Sequence, residues 1–158
     1  MSHTNTVARS LHDVGLAAWF GGSLMGAVAL NGAAGTVADE SERGRIAVDG
    51  WKRWAPVNAA AIASYLVGGL VIIKANKGRI AAQSGVASAS GLKSVLTVAG
   101  LAATAAAGVL GTRVAQVPDA PAEGATEPAA GTPPSVADAQ RQLHVVQWVI
   151  PGITGRCS

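Results

Sequence analysis

Two histidines are the side chains of this sequence with the widest chemical repertoire. His12 and His144 each stand at the start of an apolar stretch. Imidazole is a common ligand of haem iron and transition metals. In an up-down bundle these two stretches run antiparallel, which places the two rings at opposite faces, about 30 Å apart. They therefore cannot form an axial pair, and His12 alone is a candidate ligand of haem b.

Sequence signatures of enzymes are absent. There is no Gly-x-Ser-x-Gly, no Walker loop and no His-Glu-x-x-His, and the glycines of AWFGGSLMG lie inside an apolar segment. We predict no catalytic residue, no protein metal site and no bound cofactor. Apart from Asp13, the long apolar stretches contain no carboxylate and no internal Lys or Arg. Proton-coupled transporters usually need such a group at mid-depth, which disfavours that class.

Composition indicates a membrane protein. The 158 residues are 49% hydrophobic and 13% charged, about half the charged fraction of soluble domains, and the mean hydropathy is +0.34. The net charge of +3 is small for a nucleic-acid-binding protein, and none is predicted as a partner. The single cysteine, Cys157, excludes an intramolecular disulfide.

Apolar segments define the predicted fold, an all-α integral membrane up-down helix bundle formed by one domain, 1–158. Segments 14–37, 54–73 and 94–112 have 24, 20 and 19 residues, and about 20 suffice to span a bilayer. A fourth helix is predicted over 136–155. It has only 11 uncharged residues before Arg156, so we expect a shortened helix that does not span the membrane. Residues 1–13 are expected to form a tail, and 114–135, which hold five of the seven prolines, a disordered loop.

Small residues recur at helical spacing along the predicted spans. In lipid, glycine allows two helices to approach closely, so these stripes predict packing seams. Polar groups in the same segments are expected to form hydrogen bonds between helices. The predicted seam residues are Gly15, Trp19, Gly22, Gly26, Thr97, Gly100, Thr104 and Gly108, a stripe of Ala61 and Gly68 lies on the second span, and the intramembrane polar residues are Asn31, Asn58 and Tyr65.

Trp51 and Trp54 bracket Lys52 and Arg53, a pattern typical of an interfacial anchor. Lys and Arg counts do not decide the orientation, because six fall on each side of the predicted bundle when Arg156 is counted as the end of a crossing fourth helix. The segment 74–93 has four basic and no acidic residues, whereas the other two loops contain eight of the nine acids. We therefore expect the N-terminus to be cytoplasmic, in the cytoplasmic (inner) membrane of a bacterium.

Three segments carry a family resemblance: LHDVGLAAWFGGSLMGAVALNGA, GWKRWAPVNAAAI and AQRQLHVVQWVIPGITG. They resemble a family of small actinobacterial four-helix membrane proteins without an established function. More loosely, the first segment is similar to the first helix of copper-resistance-D-like and protoporphyrinogen-oxidase-like bundles, whose histidines bear metal or haem. This likeness extends to His12 only. The four-helix family also implies a longer fourth helix than the ending GITGRCS allows.

The function predicted from these observations is a non-enzymatic membrane protein, an accessory or structural subunit or an envelope-associated protein, that acts through helix packing. Its expected partners are membrane lipids and other membrane helices, from copies of itself or from another subunit. A haem- or metal-binding redox bundle is one alternative. A small transporter or channel, with Asn58 or Tyr65 in its path, is the other.

Overall fold

The computed structural model describes residues 3–157, and it describes only the backbone of residues 3, 4, 79 and 80. The chain is helical along most of its length. In order, it forms α1 (His3–Met25), a π-helical turn (Gly26–Leu30), α2 (Asn31–Gly35), α3 (Glu40–Ala75), α4 (Lys77–Ala82), α5 (Ser84–Ala115) and α6 (Pro134–Thr154). Between residues 3 and 157 no β-strand forms, and Ala122 and Pro128 make an isolated bridge.

Three helical segments of the described chain are long and apolar enough to cross a membrane: Asn5–Gly35, Glu40–Ala75 and Ser84–Ala115. The backbone groups of such helices are satisfied internally, as a hydrocarbon environment requires. The shorter α6 does not meet the same criterion. The predicted all-α architecture, with three long helices and a shorter fourth, is confirmed.

The helices alternate in direction. Gly15 contacts Ala61 and Tyr65, whereas Gly26 lies against Trp51, so α1 and α3 are antiparallel. Helix α6 packs along α5 and also contacts α1. A hydrophobic core lies between α1, α3, α5 and α6. It consists of Leu16, Trp19, Tyr65, Ile150 and Cys157, and side chains of α5 pack around it. The loops 36–39 and 116–133 share one end of the bundle, which we call the acidic end. The segment 74–93 lies at the other, the basic end.

The first helix begins earlier than predicted, since residues from His3 onward are helical where a tail over 1–13 was expected. The first two residues of that tail lie outside the described part of the chain. The reason is tertiary packing: Ala8 is 4% exposed, and a Cβ on Gly68 would come within 2.5 Å of its carbonyl oxygen. Helix α3 also extends beyond the predicted span, from the N-cap residue Asp39, whose side chain accepts a hydrogen bond from the Ser41 amide.

Residues 114–135, for which the sequence predicts a disordered loop, have a defined arrangement in the structure. Helix α5 continues to Ala115, and the following loop packs onto the bundle with Ala120, Ala122 and Ala125 at most 6% exposed. Arg43 donates hydrogen bonds from Nη1 to the carbonyl oxygens of Ala122 and Glu123 at 3.2 and 3.1 Å. These small alanine side chains are buried against the helices, which composition alone does not indicate.

Candidate functional site

Two groups of polar and aromatic side chains lie within the bundle, and each joins at least three of its segments. The first consists of His12, Trp19, Tyr65, Thr97 and Thr104, and we call it the aromatic layer. The second lies towards the acidic end and consists of Asn31, Trp51, Thr126, Glu127, His144 and Gln147. We call it the polar chain.

Hydrogen bonds between helices hold the aromatic layer together. Trp19 is fully buried, and its Nε1 donates to Thr104 Oγ1 at 3.1 Å. The Tyr65 hydroxyl lies 2.7 Å from Thr97 Oγ1. Thr97 Oγ1 itself donates to the Lys93 carbonyl at 2.8 Å, so the tyrosine is the donor of this pair. These polar groups therefore connect α1 and α3 to α5.

His12 is fixed in a defined orientation by α3. Its Nδ1 lies 2.9 Å from the Tyr65 carbonyl oxygen, and its ring stacks on the Tyr65 ring with 4.4 Å between centroids. Because a carbonyl only accepts hydrogen bonds, Nδ1 carries the proton and Nε2 of the neutral ring has the lone pair. A backbone carbonyl commonly orients a metal-ligating histidine in this way.

His12 has few companions for metal chemistry. Within the described residues, no group of three or more His, Cys, Asp or Glu side chains could hold a metal ion. His144 lies at the acidic end, bonded to the loop, and so does not approach His12.

Glycines set the separation between α1 and α3. A Cβ on Gly15 would lie 2.5 Å from Ala61 O and Tyr65 N, and one on Gly68 would lie 2.5 Å from Ala8 O. The two backbones are thus in direct contact at two crossing points. Gly22 and Gly26 instead leave room for the indole rings of Trp54 and Trp51.

The predicted seam on α5 is used only in part. A Cβ on Gly100 would meet the Trp19 ring at 3.0 Å, whereas one on Gly108 would meet nothing within 4 Å. Thr97 and Thr104 face the core through the hydrogen bonds described above. Gly108 therefore lies on the outward face of α5.

The four residues of the predicted interfacial anchor lie in two different environments. Lys52 and Arg53 are exposed, but the indoles of Trp51 and Trp54 pack against α1. Trp51 Nε1 donates to Asn31 Oδ1 at 3.0 Å. Trp54 Nε1 is buried with no hydrogen-bond partner in the described structure. The tryptophans thus fill the space above two glycines, a role that sequence spacing did not reveal.

The polar chain begins at the Trp51 indole and runs to the loop 116–133. Asn31 Nδ2 donates to Gln147 Oε1 at 2.8 Å, and Gln147 Nε2 donates to Thr126 Oγ1 at 3.4 Å. Thr126 donates in turn to Glu127 Oε1 at 2.9 Å, which also accepts from His144 Nδ1 at 2.8 Å. These bonds fasten the loop to α6, α2 and α3.

A π-helical turn precedes Asn31 directly, and the Asn31 N–H bonds back to the Gly26 carbonyl. The extra residue of a π-turn rotates the side chains that follow it relative to a regular α-helix, and such turns are frequent at functional sites. Here the turn precedes a side chain that links Trp51 with Gln147. Asn31 is only 9% exposed.

Glu127 is the charged member of the polar chain. Burial raises the pKa of its carboxyl, but hydrogen bonds from Thr126 and His144 outweigh burial and hold that pKa below its ordinary value of 4.5. The loop contributes Glu127 and Thr126, which the sequence did not single out. No local signal pairs them with His144, because loop and helix meet only through tertiary packing.

Asn58 and Tyr65, predicted for a possible transport path, occupy different environments. Tyr65 is 4% exposed within the core, and Asn58 Oδ1 is buried without a partner in the described part of the chain. Transport through them stays a prediction for flux measurements in liposomes.

The chain was compared with known proteins: no family model, curated protein or solved structure matches it. The resemblance to small four-helix membrane proteins therefore stays an expectation, and the function of the chain has to be inferred from its own residues.

Proposed function

We propose that the protein is a non-enzymatic accessory or structural membrane subunit that acts by packing its helices against those of a partner. The supporting observation is the low burial of α5. Only 11% of its most apolar stretch is buried within the chain, whereas the corresponding share is 39% in the first span. A helix this apolar leaves most of its surface to lipid or to neighbouring helices.

The outward face of α5 suits a helix better than lipid alone. Ala105, Gly108 and Thr112 are exposed and lie at positions three and four residues apart. Small residues allow the backbone of a second helix to come close, which increases van der Waals contact. The partner is a second copy of this chain or a different membrane subunit.

We further propose the cytoplasmic membrane of a bacterium, with the N-terminus in the cytoplasm. The basic end has Arg9 and the four basic residues of 74–93 with one acid, Asp13, whereas the acidic end has six Lys and Arg residues and eight acids. The Lys and Arg counts of the two short connecting segments are equal, so the absence of acids from 74–93 is the observation that supports this orientation. Reporter fusions at either end test this orientation.

Photo-crosslinking of neighbouring alanines tests the packing role. Ala105 is exposed, whereas Ala107, on the same helix, packs against the hydrophobic core of the bundle. A photoreactive residue at position 105 in intact membranes is expected to give crosslinked protein adducts, and the same residue at position 107 none beyond the chain itself. Adducts of lipid alone at position 105 would contradict the proposal.

A haem- or metal-binding role is the second candidate, supported by the fixed orientation of His12 and the lone pair on its Nε2. Purified protein would then show a Soret band, or bound metal, that is lost in His12→Ala. A colourless, metal-free preparation from cells supplied with haem and transition metals would remove this candidate.

A further inference from the structure

A cavity of about 200 Å³ lies at the acidic end, between the first half of α3, the end of α5 and the beginning of α6. Its walls are partly apolar, with Val48, Val114 and Val136 among them. Three charged residues of α3 also line it: Arg45, Asp49 and Lys52. They recur at steps of three and four residues, so they share one helix face.

Gln140 gives this cavity an unsatisfied polar group. The residue lines the cavity and is only 1% exposed, yet its Oε1 has no hydrogen-bond partner among the described residues. Buried amide oxygens are nearly always paired, and an exception calls for an explanation such as a bound molecule.

Two of the three charged residues that line the cavity are not part of an ion pair in the described chain. Arg45 is paired with Glu42, but the ion pairs of the described chain do not include Asp49 or Lys52. Asp49 and the Gln140 oxygen can accept hydrogen bonds from an ammonium group. Lys52 and Arg45 can receive an anion, and arginine matches the geometry of a phosphate group. The set is complementary to a small zwitterion.

The depth of the cavity identifies a source for such a molecule. Lys52 stands two residues before Trp54, where the apolar segment begins, and Val114 stands two residues after Thr112, where another ends. At about 1.5 Å per residue, these cavity residues lie about 3 Å beyond the apolar segments. This distance falls within the headgroup layer of a bilayer.

From this placement we infer that the cavity binds a primary ammonium joined to a phosphate, the chemistry of phosphoethanolamine, supplied as a lipid headgroup. The ammonium contacts Gln140 and Asp49, and the phosphate contacts Lys52. A phosphatidylcholine headgroup has the same phosphate but no N–H donor, so the site discriminates against it.

Native mass spectrometry of the full chain in detergent tests this site. Phosphatidylethanolamine and phosphatidylcholine with identical short acyl chains are titrated separately, and the fraction of protein that retains lipid is measured. We expect at least fivefold tighter retention of phosphatidylethanolamine. Gln140→Leu and Lys52→Gln should each weaken it by at least about tenfold, as expected for one hydrogen bond to a charged group. The controls Gln83→Leu and Lys93→Gln, at the basic end, should not change it.

A second titration, with soluble O-phosphoethanolamine followed by ³¹P NMR, separates the two sources. Binding of this probe without retention of the lipid would support the chemistry of the site and overturn the headgroup as its source. Equal retention of both lipids, or unchanged retention in both Gln140→Leu and Lys52→Gln, would overturn the inference. Gln140→Leu also removes an unpaired buried group, so the thermal midpoint of this variant should not fall. If it falls, the lipid retention of Lys52→Gln, a substitution at an exposed position, is taken as the test of the inference.

Discussion

Replacing Gly15 with alanine should force α1 and α3 apart. The new Cβ would lie 2.5 Å from Ala61 O and Tyr65 N, whereas ordinary contacts begin at 3.4 Å, so the backbones must separate by roughly 1 Å. A gap of this size forfeits a quarter to a half of each neighbouring van der Waals contact. Because the opposing atoms belong to backbone, rotamer changes give no relief. We expect a loss of about 2–3 kcal/mol in the free energy of unfolding.

Titration with sodium dodecyl sulfate in mixed micelles, followed by tryptophan fluorescence, measures this loss. Gly21→Ala is the matched control on the same helix, since its Cβ meets nothing within 4 Å. Gly68→Ala should reproduce the loss from the opposite side. The double variant with Gly15→Ala should cost less than the sum, because one separation relieves both contacts. Equal stability of Gly15→Ala and Gly21→Ala would refute the reasoning.

Three further perturbations concern the polar groups. Asn31→Leu leaves an indole N–H and an amide oxygen without partners and should lower the free energy of unfolding by about 1–3 kcal/mol in the same titration; no measurable loss would contradict the role of the polar chain. A double-mutant cycle of Tyr65→Phe and Thr97→Val should give a coupling energy of about 0.5–1 kcal/mol, and a coupling of zero would argue against their hydrogen bond. Because the folded-state pKa of Glu127 lies below 4.5, its contribution to stability is present above that pH and is lost as the pH falls through the lower folded value; the thermal midpoint of Glu127→Gln should lack this pH dependence, and an unchanged profile would count against it.

Small-residue periodicity predicted faces of helices, but it did not show which faces are occupied. Gly15 and Gly108 belong to stripes of the same kind, yet Gly15 touches backbone atoms of α3 and Gly108 meets nothing within 4 Å. Spacing of three and four residues only states that side chains share one side of a helix. What lies opposite that side depends on the arrangement of the other helices.

The amino-acid sequence is sufficient to predict that the chain is built from long apolar helices. Uninterrupted apolar segments leave the backbone no partner but itself, so they form helices wherever they are removed from water. The arrangement of the loop and the composition of the polar chain, in contrast, depend on tertiary packing. Asn31 and Gln147 are 116 residues apart, and Glu127 reaches His144 from a segment whose composition predicts disorder. Hydrogen bonds at such separations depend on how the helices pack, and no local pattern encodes them.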